Sequence, residues 1–157
     1  MKKNKLGFTL VELLAVVLII GMLTAIGLPQ YRKSVSRAEA MEAMVNLRTI
    51  FDAARRFRAA NFTSPMMLKG LDIAFFDADH NDTATFAIGR FDYEFKTDRI
   101  EACRHNGNYC FYAYYNHPSQ GKNTLTCKRT SEGGKYDWLC EAIGTTNLGS
   151  NEYLLDR

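Results

Sequence analysis

One carboxylate, Glu12, stands inside an otherwise apolar run that extends from Leu6 to Leu28. About 20 apolar residues are enough to cross a bilayer, and an ionised side chain within such a span costs roughly 2.5 to 3.5 kcal/mol on insertion scales. The chemistry open to this group is ion pairing. If the cation comes from another copy of the chain, the cost disappears only on association, and Glu12 would then select assembled copies and set their axial register. The plainer account is that Glu12 lies near a helix N-terminus, where the helix dipole tolerates it.

The residues in front of the run bear on that choice. Lys2, Lys3 and Lys5 form a short basic leader that ends at Gly7, and positive charge before a membrane helix holds that end in the cytoplasm. A secretory signal has a shorter apolar region, of about 7 to 15 residues, with its small-residue cleavage site after it. Here the small residue comes first. Ala25-Ile26-Gly27 is the competing cleavage site, and cutting there would release a soluble domain.

The basic leader, Gly7, Phe8 and Glu12 together resemble the class III signal of type IV pilins and of the pseudopilins of type II secretion systems. The resemblance covers about the first fifth of the chain. It implies that a prepilin peptidase cuts after Gly7 and methylates the new terminus, Phe8. Glu12 would then meet the terminal amine of a neighbouring subunit. The implied partners are prepilin peptidase, other copies of the chain or related pilins, and inner-membrane assembly machinery. No cofactor is implied. The protein would rest in the inner membrane with a periplasmic domain, and then enter a surface pilus or a periplasmic pseudopilus.

The elements that carry these residues divide the sequence into a leader (1–7), a membrane-spanning and assembly helix (8–28), an amphipathic continuation of that helix (29–60) and a globular region (61–157). Gly27 and Pro29 flank an expected kink, because proline removes a backbone donor and crowds the preceding turn. Beyond it Ala40, Met44, Leu47, Phe51 and Ala54 recur at spacings of four and three, widened by Ile50 and Phe57. Arg32, Lys33, Arg37, Glu42, Asn46 and Arg55 occupy other faces. A helix over residues 8 to 59 would be roughly 78 Å long. Arg55, Arg56 and Arg58 cluster near its end, where cations are favoured, and Ser64-Pro65 supplies a stop.

Residues 77–82 contain Asp77, Asp79, Asn81 and Asp82, alternate oxygen ligands of the kind a calcium ion takes. The match to an EF-hand loop fails at Asp82, where glycine is wanted, and at Ile88, where a bidentate carboxylate is wanted. A solvated acidic turn is the reading adopted. Farther on the period changes from helical to alternating. Phe91, Tyr93 and Phe95 share one strand face, and Asn106-Gly107 separates strand-like runs as a type I′ hairpin signal. The aromatic run from Tyr109 to Tyr115 is expected at the centre of the sheet. Further strands are expected near residues 122–128 and 135–140, separated by Ser131-Glu132-Gly133-Gly134. A long helix packed on a small antiparallel sheet is α+β architecture, which the pilin resemblance also implies.

Cys103, Cys110, Cys127 and Cys140 all fall in the exported half, where oxidation is allowed, and they permit three pairings. If His105 faces Asn108 across the Asn106-Gly107 turn, Cys103 falls opposite Cys110 at a hydrogen-bonded ladder position, where side chains lie farther apart. Cys127 and Cys140 then remain, and their place near the C-terminus resembles the disulfide that closes the variable region of many type IV pilins. A zinc site is the alternative, without a Cys-x-x-Cys pair and with scattered histidines.

No catalytic constellation emerges. His80, His105 and His117 stand in turn-like surroundings, and neither a nucleophile motif nor a phosphate-binding glycine loop is present. The chain has 157 residues, 20 basic and 17 acidic. Subtracting Lys2, Lys3 and Lys5 leaves 17 of each, so no global basic field argues for a nucleic-acid partner. The expected function is therefore structural, as a subunit of a type IV pilus-like filament for adhesion, twitching motility or DNA uptake. The alternative is a type II secretion pseudopilin, and a membrane-anchored exported binding domain or enzyme is the remaining reading.

Overall fold

The computed structural model describes residues 8–73, 84–105, 109–130 and 136–155. Its elements are helix α1 (Leu10–Asn61), a 3-10 turn (Leu68–Gly70), strands β1 (Thr85–Ile88), β2 (Phe91–Phe95), β3 (Arg99–Arg104), β4 (Tyr109–His117) and β5 (Gly121–Arg129), helix α2 (Asp137–Ile143), and strands β6 (Thr146–Gly149) and β7 (Glu152–Leu154). Residue contacts divide the chain into two compact units, one ending at Ala38 and the other beginning at Glu39.

The first unit is the apolar part of α1. Leu10, Val11, Leu13, Leu14, Val17, Ile19, Leu23 and Ile26 are all exposed, and the most apolar window of the helix has a mean hydropathy of 2.5 with none of it buried. A helix hydrophobic all round, with no protein to cover it, is built for an apolar surrounding.

The second unit holds the sheet, an antiparallel seven-stranded layer in the order β1-β2-β3-β4-β5-β7-β6. β4 is the central strand, as its aromatic density requires. Strand alternation decides which side chains are buried: Phe91, Tyr93 and Phe95 of β2, Ile100 and Ala102 of β3, and Tyr109, Phe111, Ala113 and Tyr115 of β4. Against them pack Ala40, Ala43, Met44, Leu47, Ile50, Phe51 and Ala54 of α1, in one core. The rings of Phe51 and Tyr115 stack with centroids 5.1 Å apart.

The expected amphipathic stripe is therefore the face that meets the core, with Ala43 and Ala53 added to it. α1 ends at Asn61, ahead of Ser64-Pro65. Phe62 follows with φ 56°, its amide donating to the Arg58 carbonyl at 2.9 Å. Glycine or asparagine is usual in this left-handed closing position, and a phenylalanine there costs about 1 to 2 kcal/mol.

Three features depart from the sequence expectation. The segment around 135–140 forms α2 rather than a strand, and the helix buries Leu139 and Cys140 while partly burying Trp138 and Ile143 in the core. Helical spacing at 139, 140 and 143 puts these residues on one side, a pattern too short to stand out beside a strand-like run. Strands β1, β6 and β7 were not anticipated; each has only three or four residues, and β6 is mostly exposed.

The third departure concerns the cysteine pair. Cys103 does face Cys110, but not at a hydrogen-bonded position. The Tyr115 amide donates to the Asp98 carbonyl at 3.0 Å, so those two form a bonded pair. Alternation along the ladder puts Ile100/Ala113 and Ala102/Phe111 in the same class and Cys103/Cys110 in the other. The Cα separation of 4.1 Å agrees, since non-bonded pairs approach to about 4.5 Å and bonded ones to about 5.5 Å. The Asn106-Gly107 turn lies outside the described residues, as do Ser131 to Gly134, Asp77, Asp79, Asn81, Asp82 and His80.

Candidate assembly site

Thr9 and Glu12 close the start of α1 on each other. The Thr9 amide donates to Glu12 Oε2 at 2.8 Å, the Thr9 hydroxyl donates to the same oxygen at 2.7 Å, and the Glu12 amide lies 3.3 Å from Thr9 Oγ1. Thr9 is the residue before the first helical one, so this is a reciprocal capping box, with threonine at the N-cap and glutamate three residues on. It satisfies donors that a helix N-terminus leaves orphaned. Thr9-x-x-Glu12 is the local sequence signature of such a box, and neither the membrane argument nor the dipole argument makes use of Thr9.

Both side-chain contacts fall on Oε2, and Glu12 is exposed. Phe8, one residue before the cap, is 83% exposed. A chain beginning at Phe8 would carry an α-amine, a cation when protonated, next to the residue that caps Glu12. Gly7 lies outside the described residues. α1 runs through Gly27 and Pro29 without a break in helical assignment, and a Cβ added at Gly27 would meet nothing within 4 Å. No intrachain crowding calls for glycine there.

The cysteines form two disulfides. Cys103–Cys110 ties β3 to β4, and Cys127–Cys140, with a Cα separation of 5.3 Å, ties β5 to α2. No group of three or more metal-ligating side chains exists among the described residues.

The arginine cluster is structural in its contacts. Arg56 makes a bidentate pair with Asp72 at 2.8 and 2.9 Å, which holds the Asp72 carboxyl below its usual range. Arg55 pairs with Asp52 at 3.3 Å, and Arg58 lies 4.1 Å over the Tyr115 ring. The two described histidines also serve the fold. His117, buried, accepts from the Ser119 and Gln120 amides at Nδ1 and so closes the turn after β4, while His105 pairs with exposed Asp92.

A tie that the sequence did not disclose is Glu39. Its carboxylate meets Arg104 at 2.8 Å and Arg90 at 3.4 Å, joining α1 to β3 and to the β1–β2 turn. The Arg104 side chain is 8% exposed and its guanidinium stacks 4.2 Å from the Tyr136 ring. Residues 65 apart in the chain leave no local signal of such a pair.

The site is a capped helix N-terminus with one carboxylate, on an uncovered helix long and apolar enough to cross a membrane, in a chain whose second unit is a disulfide-bonded antiparallel sheet. Residues 2–28 match the family model described as the prokaryotic N-terminal methylation motif. The chain is 45% identical over 51 residues to the type IV major pilin protein PilA of Myxococcus xanthus, covering 32% of this chain and 23% of that one. It is 31% identical over 109 residues to a type IV major fimbrial protein FimA of Dichelobacter nodosus, covering 68% and 65%. It is also 31% identical over 71 residues to the type II secretion system core protein G of Pseudomonas aeruginosa, covering 45% and 50%. The first two relatives are matched over only 23% and 28% of their own lengths. No solved structure gives a significant match. The chain thus carries the N-terminal methylation motif and is similar to type IV pilins and fimbrial proteins and to a type II secretion pseudopilin.

Proposed function

We propose that this protein is a structural subunit of a type IV pilus-like filament, processed after Gly7 and assembled through its N-terminal helix. The observation that carries the reading is the uncovered apolar part of α1, which begins at Leu10 two residues after Phe8 and has Glu12 as its one carboxylate. Before assembly this helix spans the inner membrane, with the sheet unit on the periplasmic side. In the filament, apolar helices of other copies replace lipid around it. Glu12 then exchanges part of its bonding to Thr9 for the methylated Phe8 amine of a neighbour. Gly27 and Pro29 give the helix a bending point, and the two disulfides hold the sheet unit under load.

A second reading, a pseudopilin of a type II secretion system, draws support from the similarity to the core protein G of Pseudomonas aeruginosa. The two part on one experiment, deletion of the coding sequence in the native cell. Surface filaments that contain the chain and vanish on deletion support the pilus; loss of enzyme secretion with no filaments supports the pseudopilus. Mass spectrometry of the mature N-terminus tests both, with N-methylated Phe8 expected and a chain beginning at Leu28 refuting them.

A further inference from the structure

Of the two described histidines only His117, the last residue of β4, is buried, at 7% exposure. Its Nδ1 accepts from the Ser119 amide at 3.3 Å and from the Gln120 amide at 3.2 Å, and the Ser119 hydroxyl lies 3.2 Å from the same nitrogen. A ring nitrogen that accepts from two amides presents a lone pair, so the neutral ring carries its proton on Nε2. That nitrogen faces the Glu152 carboxylate of β7 at 3.6 Å. One nitrogen thus closes the exposed turn at residues 118–120, and the other meets a different strand.

Histidine is the side chain whose ordinary ionisation falls between about pH 5 and 8. A proton taken from solvent at Nδ1 turns that nitrogen from acceptor into donor, and it then opposes the two amides from which it had accepted. The Ser119 hydroxyl, which both donates and accepts, is within reach of the new N–H. At Nε2 the change has the other sign, since an imidazolium is drawn to the Glu152 carboxylate more strongly than a neutral ring is. The surrounding groups are these. Thr126 of β5 donates to Glu152 Oε1, the oxygen that faces the ring, at 2.6 Å. Tyr114 of β4 packs edge-on with centroids 4.6 Å apart, and burial raises its phenol to about 12, so it stays neutral in this range. Lys122 of β5 is the cation beside the ring in the ladder, opposite Asn116.

We propose that the turn after β4 is an acid-operated device: protonation of His117 releases the Ser119 and Gln120 amides and moves the ties of the ring to the Ser119 hydroxyl and to Glu152. Both arrangements use groups already in place, so the ring stays pinned while the turn changes. Residues 118–120 are all exposed, and the change therefore alters a piece of surface rather than the core. On the filament reading that surface belongs to an exported domain and meets the pH outside the cytoplasm; the exchange itself does not depend on that reading.

The test is an NMR titration of the detergent-solubilised full chain between about pH 8 and 5, following the His117 ring and the Ser119 and Gln120 amides. Both amide protons should move upfield as their hydrogen bonds are lost, with the same midpoint as the ring. His117→Asn keeps an acceptor near the place of Nδ1 and takes up no proton, so in that variant the two amides should hold their shifts throughout. Glu152→Gln removes the anion that favours the imidazolium and should move the midpoint to lower pH. Amides that hold still while the ring titrates overturn the proposal, as does a ring that stays neutral to the acid end or equal amide movement in His117→Asn. Movement of amides throughout the sheet unit would mark unfolding and overturn a local exchange. An unchanged midpoint in Glu152→Gln overturns the part assigned to Glu152.

Discussion

Glu12 accepts two hydrogen bonds from Thr9, through the backbone amide at 2.8 Å and the hydroxyl at 2.7 Å. The carboxylate that is costly in a membrane is thus already partly satisfied within its own chain. On the filament reading proposed above, a partner's amine would compete with donors worth about 1 kcal/mol in a typical cap and would offer a charge-assisted bond about twice as strong as a neutral one. The single chain would then wait in the membrane with its acid capped, and the assembled state would be preferred.

Separating the two roles of Glu12 gives the first prediction. Thr9→Ala removes the capping hydroxyl and should cost about 1 kcal/mol of helix N-terminal stability while leaving the acid free to pair, so filaments still form. Glu12→Ala removes both roles. It should be processed after Gly7 and assemble poorly, as quantified by mature N-terminal mass spectrometry and the filament fraction after shearing. Normal assembly of Glu12→Ala refutes the pairing role.

The two disulfides should differ in worth. Cys127–Cys140 closes a longer loop than Cys103–Cys110, with sequence separations of 13 and 7, and loop-closure entropy gives about 3 kcal/mol for a loop near 15 residues. Of the two disulfides, only Cys127–Cys140 ties α2 to the sheet, adding to the burial of Leu139 in the core. Replacing both of its cysteines with alanine should lower the thermal midpoint more than the same change at Cys103 and Cys110, in which the ladder already joins β3 to β4. Calorimetry of the detergent-solubilised chain checks the order, and the reverse order contradicts it.

What the sequence disclosed follows from range. The stripe of Ala40, Met44, Leu47, Phe51 and Ala54 and the alternation of Phe91, Tyr93 and Phe95 are periodic signals several residues long, and both name the faces that meet in the core. The Thr9–Glu12 box is equally local, but its glutamate is also the one charge in the apolar span, and the cost of that charge outweighs the cap as a signal. By contrast α2 has seven residues and β7 three, too short for a period to stand against competing propensities. Glu39–Arg104 depends on residues brought together only by tertiary packing.

Glu39 furnishes a prediction of its own. Arg104 is nearly buried and Glu39 is the carboxylate that compensates its charge, and removing one member of a buried pair costs about 3 to 5 kcal/mol because the other is left uncompensated. Glu39→Ala should therefore lower the urea midpoint far more than Asp52→Ala, which breaks the exposed Arg55 pair and costs less than about 1 kcal/mol. Equal midpoints for the two variants would remove Glu39 from the list of ties between α1 and the sheet.

Alkaline pH should loosen the sheet unit before acid chemistry does anything comparable to its tyrosines. Burial raises the phenols of Tyr114 and Tyr115 to about 12 and those of Tyr93 and Tyr109 further still. In the unfolded chain they ionise near 10. Between those values the folded state holds protons that the unfolded state has released, so stability is complete below about pH 10 and falls as pH rises through the window. Urea midpoints should be level from pH 7 to 9 and drop steeply above 10, with phenolate absorbance appearing together with unfolding. Tyr115 sharpens the test, because its buried hydroxyl has no hydrogen-bond partner among the described residues and Tyr115→Phe removes an unsatisfied group as well as a titrating one. That variant should match or exceed the wild-type midpoint at pH 8 and lose less at pH 11. A parallel loss in both proteins would show that Tyr115 does not contribute to the alkaline transition.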